Sequence, residues 1–200
     1  MPAFTFDFVT SDTHFGHVNI IKYAERPFAH VDQMNGEMIR RWNRTVGPVD
    51  VVVHLGDLAL GQLERTLPMT AALNGTRYLV PGNHDRVSSV NRGGRNIERF
   101  RSAYEAAGWI ILDEVVEAEV GGRPFLLSHF PYAGDSHDKS GEGVVDRYAA
   151  ARPVDTGLPL VHGHTHRGPA RHGHEFEAGV DIHDFTPVAA GAIADWIDGL

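Results

Sequence analysis

The sequence contains no cysteine. This absence excludes disulfides, thiolate zinc sites and cysteine nucleophiles, so any metal ion must be bound through nitrogen and oxygen atoms. Long apolar runs are also missing, because no segment approaches the roughly 20 apolar residues that a membrane helix needs. The N-terminal segment lacks the basic and apolar regions of a signal peptide. We therefore expect a cytoplasmic protein with no membrane partner.

Positive charge is scarce as well. The chain has 18 Lys and Arg residues against 26 Asp and Glu residues, a formal charge of −8. This balance argues against broad electrostatic attraction to nucleic acid, which stays a possible partner but is not favoured. The length of 200 residues and the 42% of apolar residues are typical of one globular domain, which we place at 1–200. The sequence does not indicate an oligomeric state.

Apolar periodicity predicts alternating strands and helices in the first half and mainly strands in the second. The predicted strands are 4–11, 49–55, 77–80, 110–112, 115–120, 124–128, 158–161 and 175–182. The predicted helices are 32–46, 62–73, 96–107 and a closing helix from Pro187 through Trp196. The segment 131–159 is interpreted as a long loop with a short helix near 144–150. This pattern predicts a layered α/β fold, with sheets in the middle and helices outside.

Polar side chains follow several of these strands at the point where each strand ends. Asp12 and His14 follow the first strand, and Asp57 follows the second. Such clusters gather at one edge in α/β folds, and a carboxylate with an imidazole is a ligand set for Mn, Fe, Zn or Ni. In isolation, each of these residues could equally be a turn aspartate or an ordinary loop histidine.

The later clusters extend the same pattern. Asn83 offers an amide oxygen, and its neighbour His84 is a potential proton donor. His129 follows the strand 124–128, although a lone histidine there is more often structural. His164 and His166 are separated by one residue, so both can point into one site. A histidine-rich stretch could also bind metal adventitiously, and the ordered series of clusters decides between these readings.

The ordered motifs D-x-H, G-D, G-N-H-D, H and G-H-x-H resemble those of the calcineurin-like metallophosphoesterase superfamily. The runs SDTHFGHVNII and LSHFP further resemble a subgroup of small bacterial and phage phosphoesterases. The resemblance implies a sandwich of two mostly mixed β-sheets flanked by helices, four layers in all. It also implies an enzyme that hydrolyses phosphoric esters with two divalent metal ions. We expect Mn²⁺, with Fe, Ni or Zn as alternatives.

The resemblance also implies a role for each motif residue. Asp57 would bridge the two ions, and His84 would be a catalytic residue that binds neither ion. The ions would lower the pKa of the attacking water and polarise the phosphoryl oxygens. The ligands of the first ion would be Asp12, His14 and His166, and those of the second Asn83, His129 and His164.

Three further residues are candidates for substrate binding. His17 and Asn19 follow the first motif closely, although Asn19 could instead start a helix. Arg86 begins an arginine-containing stretch after the third motif that could guide a phosphate-bearing ligand, or could be a solvated helix face.

The leading functional hypothesis is a phosphodiesterase acting on small nucleotide diesters such as 2′,3′-cyclic nucleotides. The alternative enzyme hypothesis is a nuclease or RNA-end-processing phosphoesterase that uses the arginine stretch. An alternative from another class is a non-catalytic scaffold that keeps the fold for protein binding.

Overall fold

The computed structural model describes residues 4–95, 97–133 and 147–200. Its strands are β1 (Phe8–Thr10), β2 (Val51–His54), β3 (Thr76–Leu79), β4 (Trp109–Ile111), β5 (Val115–Val120), β6 (Arg123–Ser128), β7 (Leu160–His162), β8 (Arg171–His172), β9 (Glu175–Glu177) and β10 (Val188–Ala189). Its α-helices are α1 (Ile20–Tyr23), α2 (Val31–Thr45), α3 (Leu63–Met69), α4 (Ile97–Ala106) and α5 (Ala190–Asp198).

The strands form two five-stranded mixed sheets. The first sheet has the order β10-β1-β2-β3-β4, in which β1 to β4 are parallel and β10 is antiparallel to β1. The second sheet has the order β5-β6-β7-β9-β8, with parallel pairs β6/β7 and β7/β9 between antiparallel outer pairs. Two mixed sheets flanked by helices confirm the predicted fold class.

Two apolar clusters hold these layers together. Between the sheets, Val53 and Val80 pack with Phe125 and Val161, and none of the four is exposed. The other face of the first sheet packs against α2, α3 and α4 in a second cluster that includes Trp42. A buried side chain of this kind contributes about 1.5–3 kcal/mol relative to an exposed one. The rigid sheets therefore fix where the loops at their edges begin.

The helix α2 shows how the sequence sets the position of one layer. Met34, Met38 and Trp42 recur at helical spacing and are all buried. The His30 side chain accepts a hydrogen bond from the Gln33 backbone N–H and so caps the first turn. Observed and predicted bounds of this helix differ by one residue at each end.

Several predicted elements differ in their bounds from the observed ones, and the closing helix begins at Ala190 instead of Pro187 because Val188–Ala189 pairs with β1. The first strand is shorter because Phe4 leaves β1 and pairs with Ala118 of the second sheet. The predicted strand 175–182 ends at Glu177, whose carboxylate accepts a hydrogen bond from the Gly179 N–H at 2.8 Å and turns the chain. The helix that contains Pro68 ends at Met69 and continues as a 3₁₀ turn, as the proline predicts.

Residues 134–146 of the predicted long loop 131–159 lie outside the described residues, and so do the first three residues of the short helix expected near 144–150. The described part that follows contains a 3₁₀ turn at Ala149–Ala151. Within the described ranges, no helix is long and apolar enough to cross a membrane. The longest described helix, α2, has 15 residues, whereas a membrane-spanning helix needs about 20.

Candidate metal centre

The predicted site residues follow the carboxyl ends of five strands. Asp12 follows β1, Asp57 follows β2 and Asn83 follows β3, so the parallel arrangement brings them to the same edge of the first sheet. His129 follows β6 and His164 follows β7 at the corresponding edge of the second sheet. The two edges meet, and the polar side chains face each other there.

Most of these residues have an unusual backbone conformation. Asp12, His14, Asp57, His164 and His166 all have φ between 52° and 75°. This left-handed region is uncommon for residues other than glycine, although aspartate and histidine enter it more readily than most. Such conformations persist only where the surrounding structure over-determines them, and they cluster at functional sites.

Close backbone approach at glycines completes the frame. A Cβ on Gly82 would lie 2.6 Å from the Asp57 nitrogen and 2.8 Å from His129 Cε1. A Cβ on Gly163 would lie 2.5 Å from the Asp12 carboxylate. Real Cβ atoms do not approach other atoms so closely, so a larger residue at either position would push the site residues apart.

One half of the site contains Asp12, His14 and His166, and we call it the aspartate half. The Nε2 atoms of His14 and His166 are 3.3 Å apart. Asp12 Oδ1 lies 3.8 Å from His14 Nε2 and 3.6 Å from His166 Nε2. Three potential ligand atoms thus surround one point in the interior.

The other half contains Asn83, His129 and His164, and we call it the asparagine half. His129 Nε2 lies 3.0 Å from Asn83 Oδ1, and the rings of His129 and His164 are 5.0 Å apart. Asp57 stands between the halves, because its Oδ2 is 3.6 Å from His14 Nε2 and its Oδ1 is 3.7 Å from His129 Nε2. This is the position that a bridging carboxylate requires.

The electrostatics of the aspartate half favour a cation. Burial raises the pKa of Asp12, but His166 and His129 offset this effect and lower the pKa to about 2. Burial lowers the pKa of His166, but Asp12 and Asp181 more than compensate and raise it to about 9. These carboxylates stabilise positive charge at His166, and a divalent ion can supply that charge in place of a proton.

The donor set therefore fits a metal ion. Asp12 is fully buried and ionised, and its Oδ1 has no hydrogen-bond partner in the described part of the chain. A buried carboxylate oxygen without a hydrogen bond is costly unless it faces a cation or coordinates a metal. Burial also lowers the pKa of His14 well below its usual range, and metal binding requires this neutral imidazole.

The predicted catalytic histidine and two of the three predicted substrate-binding residues line a cavity of about 450 Å³ above these ligands. His84, His17 and Asn19 all line it. The His84 side chain is 44% exposed, and its Nε2 lies 3.8 Å from Asp57 Oδ2. Asn19 also precedes α1, without a side-chain capping hydrogen bond. Arg86 lines a neighbouring depression that includes His84, and it stacks over Phe100 at 5.4 Å.

Several residues of this region have no role predicted from the sequence. The buried Asp85 accepts hydrogen bonds from the Asp57 N–H at 2.7 Å and from the Gly82 N–H at 2.9 Å. It thereby joins the second and third motifs, and burial together with Asp57 raises its pKa to about 7. Its place in G-N-H-D was a usable signal. Tyr23 and Tyr148 line the cavity without any such signal.

Comparison with known proteins agrees with this geometry. A family model described as the calcineurin-like phosphoesterase superfamily domain matches residues 8–193. The chain belongs to this superfamily. Members are metal-dependent phosphoester hydrolases, and this chain has the side-chain groups to bind the metal. The family resemblance expected from the five motifs is therefore confirmed.

Individual relatives add little about function. The chain is 32% identical to the gene 66 protein of Mycobacterium phage D29 over 195 residues, which cover 90% of each protein. It is 43% identical to an uncharacterized protein of Methanocaldococcus jannaschii, but only over 40% of this chain and 46% of that protein. A solved structure of a protein of unknown function from Aquifex aeolicus matches with a TM-score of 0.68 and 26% identity, covering 94% of this chain and 97% of the other.

Proposed function

We propose that this protein is a dinuclear metal-dependent phosphodiesterase that hydrolyses small nucleotide diesters such as 2′,3′-cyclic nucleotides. The observation that carries the proposal is the cluster of seven ligand-type residues beneath one cavity. Five of them line the cavity, and the exposed His84 lies at its wall. The ligands of the ions would be Asp12, His14, His166, Asn83, His129 and His164, with Asp57 shared. Bound metal ions would supply an activated water and neutralise charge on the phosphoryl oxygens. We expect Mn²⁺, with Fe, Ni or Zn as alternatives.

The role proposed for His84 follows from its geometry. Its backbone N–H donates to Asp57 Oδ1 at 2.8 Å, which fixes the residue next to the bridging carboxylate. Its ring lies on the cavity side and is 44% exposed, so it can reach a bound ester. We assign His84 the transfer of a proton to the leaving oxygen. General acid catalysis of this kind is typically worth about 10²–10⁴-fold in rate.

The cavity favours a small nucleotide through its size and its lining residues. Its volume of about 450 Å³ lies in the range of pockets that enclose small molecules. Tyr23 and Tyr148 line it together with Ile20, and aromatic rings of this kind stack on nucleobases. Arg147 lies over the Tyr148 ring at 4.6 Å. Among the lining residues that the structure describes, Arg147 carries the fixed positive charge, which can pair with a phosphoryl oxygen of a bound nucleotide.

The substrate test is a hydrolysis screen in Mn²⁺ with a bis-aryl phosphate diester, an aryl phosphate monoester and 2′,3′-cyclic nucleotides. We expect the highest kcat/KM with the cyclic nucleotides. A strong preference for the monoester would contradict the diesterase proposal. Hydrolysis confined to oligonucleotides and falling steeply with salt would indicate a nuclease instead.

The test of His84 is the substitution His84→Ala, assayed on an ester with a poor leaving group. We expect kcat to fall by about 10²–10⁴-fold while two bound ions remain, because the general acid is lost and the ligands are not. An ester with a good leaving group serves as the control, since it needs little protonation and should lose less rate. Wild-type activity on the poor leaving group would remove His84 from the mechanism.

A further inference from the structure

A buried arginine outside the five motifs connects the loops of the aspartate half. Arg26 follows α1 and is 4% exposed. Its Nη2 donates to the Asp12 backbone oxygen at 2.6 Å, and its Nη1 donates to the Thr13 backbone oxygen at 3.0 Å. The guanidinium therefore holds the backbone on which the D-x-H ligands are mounted.

The same guanidinium binds a carboxylate from a distant part of the chain. Its Nε donates to Asp181 Oδ1 at 2.7 Å, and its Nη2 donates to Asp181 Oδ2 at 2.8 Å. Both side chains are buried, with exposures of 0% for Arg26 and 5% for Asp181. A two-pronged pair of this kind fixes the orientation of the carboxylate as well as its position.

The oriented carboxylate in turn fixes a predicted metal ligand. Asp181 Oδ2 lies 2.7 Å from His166 Nδ1. An ionised carboxylate can only accept hydrogen bonds, so Nδ1 carries the proton of this hydrogen bond. Nε2 is then the atom that faces Asp12 Oδ1, at 3.6 Å. Hydrogen bonding of the second ring nitrogen to a carboxylate selects the tautomer of a metal-binding histidine and raises its basicity.

The ion pair is better explained by this role than by stability alone. Well-packed apolar residues in place of a buried ion pair are often neutral or stabilising. Apolar residues could fill the space between α1 and the loop after β9. They could not accept a hydrogen bond from His166 Nδ1–H, and they could not donate hydrogen bonds to the Asp12 and Thr13 carbonyl oxygens.

We propose that Arg26 and Asp181 are positioning residues for the metal ion of the aspartate half. Asp181 sets the tautomer and orientation of His166, and Arg26 sets the orientation of Asp181 and the backbone at Asp12 and Thr13. The pair thus controls the affinity of one ion and leaves the other unchanged. This inference rests on the proposed dinuclear centre.

The test is the affinity for Mn²⁺ without substrate, measured by calorimetric titration of the metal-free chain together with elemental analysis. Asp181→Asn keeps the size of the side chain but removes its charge. We expect the affinity for one ion to fall by about 10- to 100-fold, the usual effect of losing such a partner. The affinity for the other ion should stay within about twofold.

A matched control lies three residues further along the same loop. Asp184 pairs with Arg41, and its side chain is 88% exposed. Its φ of 49° is one that asparagine also tolerates. Asp184→Asn therefore removes the same charge from the same loop, and we expect both Mn²⁺ affinities to match those of the wild type.

The single variant leaves the Arg26 charge buried without its partner, which could unfold the chain. The double variant Arg26→Gln with Asp181→Asn removes both charges, and its folding is checked by thermal unfolding. A folded variant of either kind with both wild-type affinities would overturn the positioning role. So would an equal loss at both ions. A wild-type chain that binds no Mn²⁺ would overturn the dinuclear centre itself, and the positioning role with it.

Discussion

The aspartate half and the asparagine half of the candidate centre are supported by different kinds of neighbours. In the aspartate half, His166 is hydrogen-bonded to the carboxylate of the buried Asp181. In the asparagine half, His129 Nδ1 lies 2.8 Å from the Leu55 backbone oxygen. The His164 ring packs against the aromatic rings of Phe130 at 4.9 Å and Tyr148 at 5.5 Å. The described contacts thus give His166 a carboxylate neighbour outside the ligand set, and they place a backbone oxygen beside His129 and aromatic rings beside His164.

The difference in charge has a consequence for the two ions. Among the predicted ligands, the aspartate half has the carboxylate of Asp12 and a share of Asp57, whereas the asparagine half has a share of Asp57 alone. Two unit charges about 4 Å apart attract by about 1 kcal/mol in water and about 4 kcal/mol near a protein surface. One additional carboxylate should therefore make the aspartate half the tighter site.

The largest effect is expected where the halves meet. Asp57→Asn removes the shared charge, so both ions should bind more weakly and activity should fall by more than about 100-fold, beyond the loss typical of an outer-sphere partner. Elemental analysis and hydrolysis assays measure both effects. Asp50→Asn is the control, because Asp50 precedes β2 and accepts a hydrogen bond from the Gly47 N–H at 2.7 Å, at the opposite end of the strand. Two tightly bound ions in Asp57→Asn would exclude a bridging role.

An intermediate effect is expected in the order of metal binding. Titration of the metal-free chain with Mn²⁺ should show two steps with affinities at least about tenfold apart, since about 1.4 kcal/mol corresponds to a factor of ten. His129→Ala should remove the weaker step and retain the tighter one. Two equal steps in the wild type would contradict the proposed difference between the halves, and loss of the tighter step in His129→Ala would reverse their ranking.

The smallest effect concerns the glycine that precedes both histidines of the last motif. His164 contributes to one half and His166 to the other, so a shift at Gly163 disturbs both. Gly163→Ala should destabilise the protein by about 1–3 kcal/mol through overpacking against Ser11 and Asp12. Thermal unfolding measures this change as a shift of about 2–4 °C per kcal/mol.

A glycine in open space provides the control for that substitution. Gly36 lies within α2, and a Cβ there would meet no atom within 4 Å. Gly36→Ala should stabilise the protein by about 0.5–1 kcal/mol, because alanine restricts the unfolded chain and favours the helix. A stabilising Gly163→Ala would show that the close approach at the site is not tight.

The sequence predicts the fold well where one face of an element is buried continuously. The apolar periodicity of α2 and the run of valines in β2 are local features that point to one structure. The predicted strand 4–11 is longer than β1 because Phe4 pairs with Ala118 of the second sheet. No local sequence pattern indicates that Phe4 pairs with a different sheet from β1. Likewise, Val188–Ala189 pairs with β1 before α5 begins, although its residues suit a helix.

The candidate site also divides into residues with a local sequence signal and residues whose position depends on contacts between distant segments. The motif residues could be selected from the sequence because each lies next to the end of a strand and has ligand chemistry. Arg26 and Asp181 could not, because they are 155 positions apart and their contact depends on the folded chain. The position of Tyr148 at the cavity likewise depends on the folded chain and could not be predicted from the sequence. The cavity location of His17 and Asn19 agrees with a substrate-binding role, which stays a prediction.

The left-handed backbone at five of the predicted ligands limits how this site could be transferred to other proteins. A short peptide with the sequence Gly-His-Thr-His would rarely adopt positive φ at both histidines, because each costs about 1–3 kcal/mol when nothing enforces it. Grafting the motifs onto another scaffold would therefore transfer the ligand residues without the backbone conformation that orients their side chains. A designer would have to transplant the sheet edges and the Arg26–Asp181 pair together with the motifs.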